Sequence, residues 1–264
     1  MRNSKVTKSE DGVPIHFEVV GAGIPALVFV HGWCCDRSYW NEQVAHFADS
    51  HTVVSLDLAG HGESGTSREQ YTIPKFGQDV ASVVEQLNLQ HVILIGHSMG
   101  GPVIVEAARC IPSRVLGVIG ADTWWDVSEL RSNAVVDERL APFQSDFVSA
   151  AQSFVRSMFV PNSDPTLVER VVGHMTSASP AMAINALREV ISGHDLLIDG
   201  FRALKAPKLA INADGWRPTN MEAAKTFGID VKIMPRVGHF LMLEDPRTFN
   251  RLLGDAVVQF SGRK

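Results

Sequence analysis

The serine of GHSMGG, residues 96–101, lies where an apolar run, VILI, comes to an end. Gly96, Ser98 and Gly100 match the G-x-S-x-G pattern, in which a nucleophilic serine occupies a sharp turn between a strand and a helix. Side chains at the two glycine positions would collide in so tight a turn, and the Ser98 hydroxyl would be held clear of the backbone. We therefore interpret Ser98 as a nucleophile and not as an ordinary serine of a glycine-rich turn.

A serine needs a general base before it can attack a carbonyl carbon. Of the ten histidines, His239 follows a predicted strand, in the segment PRVGHFLMLEDP. This position places it at the carboxyl edge of the sheet, where the sites of open α/β sheets lie. His194, in SGHDLL, is the alternative base, although no predicted strand precedes it.

A carboxylate must orient the base. Asp214 follows the predicted strand KLAIN and lies between serine and histidine in the chain, so we expect it to be the acid. Asp122 follows VLGVIGA, one strand earlier, and is the alternative.

The negative oxygen that forms during attack needs two backbone N–H donors. Met99, directly after the nucleophile, is expected to supply one. Trp33, in the loop after ALVFV, is expected to supply the other, because His31 and Gly32 allow a close reversal of the chain. No histidine belongs to an H-E-x-x-H or similar metal-binding pattern, so we expect no metal. We also expect no cofactor.

The elements that would position these residues alternate along the chain. Short β-rich runs are separated by segments with helical periodicity, such as the one that contains Phe76, Val80 and Leu87. This order predicts a mostly parallel sheet with helices on both faces.

The alternation stops at about Trp125 and resumes near residue 200, with no convincing strand between. Asp164-Pro165 and Ser179-Pro180 are typical helix starts. Four apolar residues are spaced as on one face of a helix: Phe143, Phe147, Phe154 and Met158. We therefore predict a core of residues 1–124 and 201–264 and a helical cap of residues 125–200.

Composition excludes several classes of function. The net charge of −5 and the lack of a basic stripe argue against nucleic acid as a partner. No apolar run is long enough to span a bilayer, so we expect no membrane partner either. The three cysteines form no disulfide or zinc pattern and the N-terminal segment has no signal-like apolar run, so we expect a cytoplasmic protein. The oligomeric state cannot be derived from the sequence.

Four segments in order resemble the motifs of the α/β-hydrolase family. HGWCCDRSYW is similar to the oxyanion loop, DLAGHGESG to the loop after the fourth strand, GHSMGG to the nucleophile elbow, and VGHFLMLEDP to the histidine loop. The resemblance implies eight strands, mostly parallel, with a cap after the sixth. INADGWRPTN departs from the family's usual acid turn, because it lacks the glycine three residues before Asp214.

We therefore expect a serine hydrolase that cleaves a small to medium, largely apolar ester or lactone through an acyl-enzyme. The resemblance also leaves open a carbon–carbon bond hydrolase or perhydrolase with the same three residues, and a receptor-like binding protein that has kept them without activity. Trp124, Phe143 and Phe240 are expected to line the substrate pocket. No charged cluster in the sequence indicates a phosphate or polyanionic substrate.

Overall fold

The fold of residues 4–129 and 132–262 is described by a computed structural model. Its sheet contains eight strands: β1 Ser4–Lys8, β2 Pro14–Val20, β3 Ala26–Val30, β4 Val53–Leu56, β5 Val92–His97, β6 Val115–Ala121, β7 Lys208–Ala213 and β8 Ile229–Met234. The strands lie in the order β1-β2-β4-β3-β5-β6-β7-β8. Strands β3 to β8 run parallel, whereas β1 and β2 are antiparallel to their neighbours. The predicted eight-stranded, mostly parallel sheet is confirmed.

The central strands are buried because helices cover both faces of the sheet. Every residue of β3 and of β5 is buried, as expected for strands of a parallel sheet with both faces covered. Strand β1 was not expected from the sequence. Its residues, SKVTK, are mostly exposed at the edge of the sheet, so the strand has no apolar pattern to reveal it.

Helices connect most of the strands. Their bounds are α1 Asn41–Phe47, α2 Ile73–Gln86, α3 Gly100–Cys110, α4 Asn133–Ser145, α5 Phe147–Arg156, α6 Pro165–Thr176, α7 Pro180–Ser192, α8 His194–Ala203, α9 Met221–Thr226, α10 Leu241–Glu244 and α11 Pro246–Ser261. A short 3₁₀ helix spans Arg37–Trp40. Helix α2 packs against α3, and α1 packs against α11. Within the described ranges, no helix combines the length and apolar character needed to cross a membrane.

Five helices, α4 to α8, separate β6 from β7, and they confirm the helical insertion after the sixth strand. Helix α6 begins at Pro165, with the Asp164 carboxylate accepting a hydrogen bond from the Thr166 N–H, and α7 begins at Pro180. The last of the five ends at Ala203. The division into a core and a cap of residues 125–200 stays a prediction. Residues 1–3 and 263–264 of the predicted core lie outside the described part.

The single helical face expected from Phe143 to Met158 is wrong. Helix α4 ends at Ser145, and Asp146 has extended backbone angles, φ −149° and ψ 93°. Its carboxylate accepts a hydrogen bond from the Ser149 N–H at 3.1 Å and so starts a new helix, α5. The apolar side chains still meet across the break, since the Phe143 and Phe154 ring centroids are 5.7 Å apart.

Candidate active site

Ser98 lies in the turn between β5 and α3, with a backbone φ of 53°. Residues other than glycine seldom adopt this left-handed conformation, which costs on the order of 1–3 kcal/mol. A Cβ atom on Gly96 would lie 2.2 Å from the Gly100 carbonyl oxygen, and one on Gly100 would lie 2.6 Å from the Val30 carbonyl oxygen. Both positions therefore require glycine, and the turn has the geometry of a nucleophile elbow.

The end of β6 anchors this strained turn. The Ser98 N–H donates to the Ala121 carbonyl at 3.1 Å. The Thr123 hydroxyl donates to the Ser98 carbonyl at 2.9 Å. The backbone of Ser98 is thus held from both sides, while its half-buried side chain lines a cavity beneath the inserted helices.

His239 lines the same cavity and is buried, with 2% of its surface exposed. Its backbone N–H donates to the Met158 carbonyl at 2.8 Å. Gly238 permits this approach, because a Cβ atom there would lie 2.3 Å from the same Met158 oxygen. The loop that carries the histidine is therefore packed directly against the inserted segment.

The carboxylate that contacts His239 is Asp122, whose Oδ2 lies 2.6 Å from His239 Nδ1. Since a carboxylate accepts hydrogen bonds, the histidine proton is assigned to Nδ1, and Nε2 keeps the lone pair that a general base needs. The other Asp122 oxygen accepts a hydrogen bond from the Ala213 N–H at 2.8 Å. Asp122 is fully buried and follows β6 with a φ of 43°.

The preference for Asp214 as the partner of His239 is wrong. Asp214 is exposed, and its carboxylate accepts a hydrogen bond from the Arg236 N–H at 2.7 Å. It therefore bridges the turn after β7 to the turn after β8, outside the cavity. One signal for this lies in the sequence, because Asp214-Gly215 is a typical exposed turn dipeptide. Asp122 is instead followed by Thr123, Trp124 and Trp125.

Burial shifts both members of the Asp122–His239 pair toward their neutral forms. It raises the pKa of Asp122, and the hydrogen bond from the Ala213 N–H acts in the opposite direction. Burial lowers the pKa of His239, and the positive charge of Arg217 lowers it further. The imidazole is thus neutral at neutral pH and able to accept a proton.

His194, the alternative base, also borders the cavity. Its Nε2 lies 3.1 Å from the Val127 carbonyl, and its Nδ1 lies 3.3 Å from the Asp195 carboxylate. Both ring nitrogens therefore have partners, one in α8 and one in the segment before α4. The carboxylate beside it belongs to an exposed side chain, in contrast to the buried Asp122.

The loop after β3 runs directly beside the nucleophile. A Cβ atom on Gly32 would lie 3.2 Å from Ser98 Cβ. Because glycine has no side chain, the backbone of this loop can approach Ser98 closely. Trp33 follows in this loop, and its indole N–H donates to the Ala183 carbonyl of α7 at 2.7 Å. Trp33 and Met99 both line the cavity around Ser98. Their assignment as oxyanion donors remains a prediction.

The cavity has a volume of about 630 Å³ and a mainly apolar wall. Trp124, Phe143 and Phe240, the residues expected to form the pocket, all border it. Phe143 lies against the Trp33 indole, with ring centroids 5.8 Å apart. Trp124 has a positive φ of 57°, and its ring packs against Phe201. It therefore has a structural role in addition to bordering the cavity.

Sequence analysis missed four residues around His239. The rings of Trp125 and Trp216 lie 5.6 and 4.1 Å from the imidazole, centroid to centroid. Arg217 contacts both indoles. The His97 ring is tilted against that of His239, with ring centroids 4.5 Å apart, and its Nε2 lies 2.9 Å from the His239 carbonyl. The signal available in the sequence was their position. Trp125 follows β6, Trp216 and Arg217 follow β7, and His97 precedes the nucleophile.

No group of three or more histidine, cysteine or acidic side chains suited to a metal ion occurs among residues 4–129 and 132–262. The site does bring a histidine and a buried carboxylate into contact, with a serine on the wall of the same cavity. Burial raises the pKa values of the Cys34 and Cys35 thiols in the loop after β3, which disfavours their reactive thiolate forms.

Comparison with known proteins identifies the family of the fold. The model of the alpha/beta hydrolase family matches residues 27–252. Among solved structures, a thermophilic esterase from Thermogutta terrifontis has a TM-score of 0.81 at 23% identity, over 98% of this chain and 99% of the other. That likeness concerns the fold.

Two curated relatives match over shorter regions. The 3-oxoadipate enol-lactonase 2 of Acinetobacter baylyi is 29% identical over 181 residues, which are 66% of this chain and 66% of that protein. The dihydrolipoyllysine-residue acetyltransferase component of the acetoin cleaving system of Cupriavidus necator is 34% identical over 108 residues, 41% of this chain and 29% of that protein. The chain thus spans less than two thirds of the length of either relative.

Proposed function

Because the chain belongs to the α/β-hydrolase family, we propose that it hydrolyses a carboxylic ester or lactone through an acyl-enzyme. One observation carries the proposal. Ser98, on its strained turn, and His239, hydrogen-bonded to the buried Asp122, border one mainly apolar cavity. These are the three side chains that acyl transfer to a serine requires, in the roles of nucleophile, base and orienting acid.

In the first half of the reaction, Ser98 Oγ attacks the carbonyl carbon, and its proton passes to His239 Nε2. The negative oxygen that forms is held by the backbone N–H groups of Trp33 and Met99. The imidazolium then donates its proton to the leaving alkoxide as the carbon–oxygen bond breaks. For a lactone, the leaving alkoxide remains attached to the acyl group.

In the second half, water attacks the acyl-enzyme while His239 takes one of its protons. The tetrahedral intermediate collapses, Ser98 recovers its proton from the imidazolium, and a carboxylic acid is released. Asp122 keeps the imidazole in one tautomer and stabilises its positive charge each time it forms.

The inserted helices act as a cap that sets substrate choice. Trp33 links the oxyanion loop to α7 through its hydrogen bond to Ala183, and the His239 backbone links the base loop to Met158. Both loops of the site are thus tied to the insertion, which also excludes water from the cavity and so strengthens the oxyanion contacts. The apolar wall favours a small to medium, largely apolar acyl group.

The name of the enol-lactonase relative favours a lactone as one form of the substrate. A ring-opening reaction uses the same residues, and only the tether between the acyl and leaving groups differs. We therefore treat ester and lactone hydrolysis as one chemistry with two substrate shapes.

The test is a panel of p-nitrophenyl esters of increasing acyl length and a matched panel of lactones, each run with the wild type and with Ser98→Ala. The proposal predicts many turnovers per wild-type molecule and no turnover above background for Ser98→Ala. Equal rates in both proteins would overturn it. A single burst of p-nitrophenol, equal to the amount of protein and followed by no turnover, would favour the binding-protein alternative.

A further inference from the structure

A guanidinium group occupies the wall of the cavity beside the catalytic histidine. Arg217, in the turn after β7, borders the same cavity as Ser98 and His239. Its central carbon lies 4.4 Å from the centre of the Trp216 ring and 5.1 Å from that of Trp125. The Trp216 ring is itself 4.1 Å from the imidazole. Arg217 and the imidazole therefore both contact the Trp216 indole.

The two indoles hold the guanidinium in place. A cation–π contact engages the charge of the group, whereas its N–H donors radiate in its plane and form hydrogen bonds independently of the rings. A guanidinium binds an anionic oxygen group in a two-pronged manner. The indoles thus fix the position at which such a group would bind.

Other charged residues also border the cavity. Arg139 lies 3.5 Å from the Glu129 carboxylate. The Asp126 carboxylate accepts hydrogen bonds from the Ser128 hydroxyl at 2.5 Å and from the Asn220 side chain at 3.1 Å. Glu189 is the remaining acidic side chain of the wall. Arg217 is thus the cation placed beside His239 among the described residues.

We propose that Arg217 binds an anionic oxygen group of the substrate, so that the preferred substrate is an ester or lactone that carries a carboxylate a few bonds from the scissile carbonyl. This inference rests on the proposed hydrolase function and narrows its substrate class. The apolar wall accommodates the carbon chain between the two groups, and a chain of a few carbons suits the position of Arg217, which contacts the same indole as His239.

The test compares two substrate series of equal length. Monoethyl esters of succinate, glutarate and adipate carry a carboxylate, and ethyl butanoate, pentanoate and hexanoate carry a methyl group in its place. The measured quantity is the ratio of kcat/KM for the anionic ester to that for the neutral ester. A ratio cancels any effect that a variant has on His239 itself.

We expect the wild type to favour the anionic series and Arg217→Gln to lower the ratio by roughly 10- to 100-fold, as for the loss of a hydrogen bond to a charged group. Arg217→Lys keeps the charge without the two-pronged geometry, so its ratio should lie between the two. Free glutarate should inhibit neutral-ester hydrolysis competitively in the wild type and at least ~10-fold more weakly in Arg217→Gln.

Arg139→Gln is the matched control, since it removes the same charge from another part of the cavity wall. An unchanged ratio in Arg217→Gln would overturn the inference, as would an equal fall in Arg139→Gln, which would indicate a general effect of net charge. Turnover of neutral esters without any preference for the anionic series would also overturn it while leaving the proposed function intact. Failure to hydrolyse either series would instead count against the hydrolase function.

Discussion

His239 Nδ1 lies 2.6 Å from Asp122 Oδ2, and both side chains are buried. The two residues are 117 positions apart in the chain, and the sheet brings them together because β6 and β7 are neighbours and β8 follows β7. In the proposed mechanism this contact makes Asp122 the carboxylate that orients the base, and the first prediction tests that role.

Asp122→Asn should lower kcat by roughly 10³- to 10⁴-fold. The amide that replaces the carboxylate disfavours the Nδ1–H tautomer, and Nε2 then no longer has the free lone pair. Asp214→Asn is the matched control, because the same change is made in an exposed turn, and it should retain activity within about threefold. Steady-state kinetics with one ester gives kcat for both variants, and circular dichroism shows whether both are folded. A greater loss in folded Asp214→Asn would return the acid role to that residue.

The position of the acid limb of kcat/KM should depend on the charge of Arg217. Burial and the Arg217 charge lower the pKa of His239, so the neutral, active base persists to lower pH and is lost only as the pH falls through that lowered value. Arg217→Met removes one of the two causes and should move the limb to higher pH. Arg156→Met, an exposed change on α5, should leave the limb in place. A limb that moves to lower pH in Arg217→Met would contradict this account.

Gly96→Ala should destabilise the protein by about 1–3 kcal/mol or more, because the new methyl group would overlap the Gly100 carbonyl. Gly173→Ala should have the opposite effect. Gly173 lies within α6, and a Cβ atom there would have no neighbour within 4 Å, so alanine should stabilise that helix by about 0.5–1 kcal/mol. Urea unfolding of the two variants measures both changes. Equal stability of Gly96→Ala and the wild type would mean that the turn is looser than described.

Phe143→Ala should extend the preferred acyl length, since it enlarges the cavity beside Trp33 while leaving the acetate ester nearly unaffected. The shift should be ~10- to 200-fold in the ratio of long to short esters, as for the loss or gain of a methylene contact. Val148→Ala, on the exposed side of α5, is the control and should not change the ratio. Phe143 is a better choice than Trp124, whose removal would also disturb its contact with Phe201. An unchanged ratio in Phe143→Ala would place specificity in the core loops.

Much of the fold and part of the site follow from local sequence. The turn around Ser98 was predictable because two glycines and a preceding buried strand leave few alternatives. The position of His239 was predictable because a strand leads directly to it. The helix starts at Pro165 and Pro180 were predictable from the residue before each proline.

The choice between Asp122 and Asp214 was not predictable from order alone. Both follow neighbouring parallel strands, and both lie between Ser98 and His239 in the chain. The backbone conformation after each strand decides between them, because Asp122 adopts a positive φ inside the core and Asp214 turns toward Arg236. The contacts of Trp125 and Trp216 with His239 were not predictable for a related reason, since long-range packing brings these rings to His239.

The most direct test of the central claim is the site of labelling by a fluorophosphonate, identified by peptide mass spectrometry of the folded protein. The account predicts one equivalent of label on Ser98, because this residue borders the same cavity as the imidazole of His239 and the proposed oxyanion donors. It also predicts labelling that is much slower in His239→Ala than in the wild type. Label on another serine, or equally fast labelling of Ser98 in His239→Ala, would contradict the account.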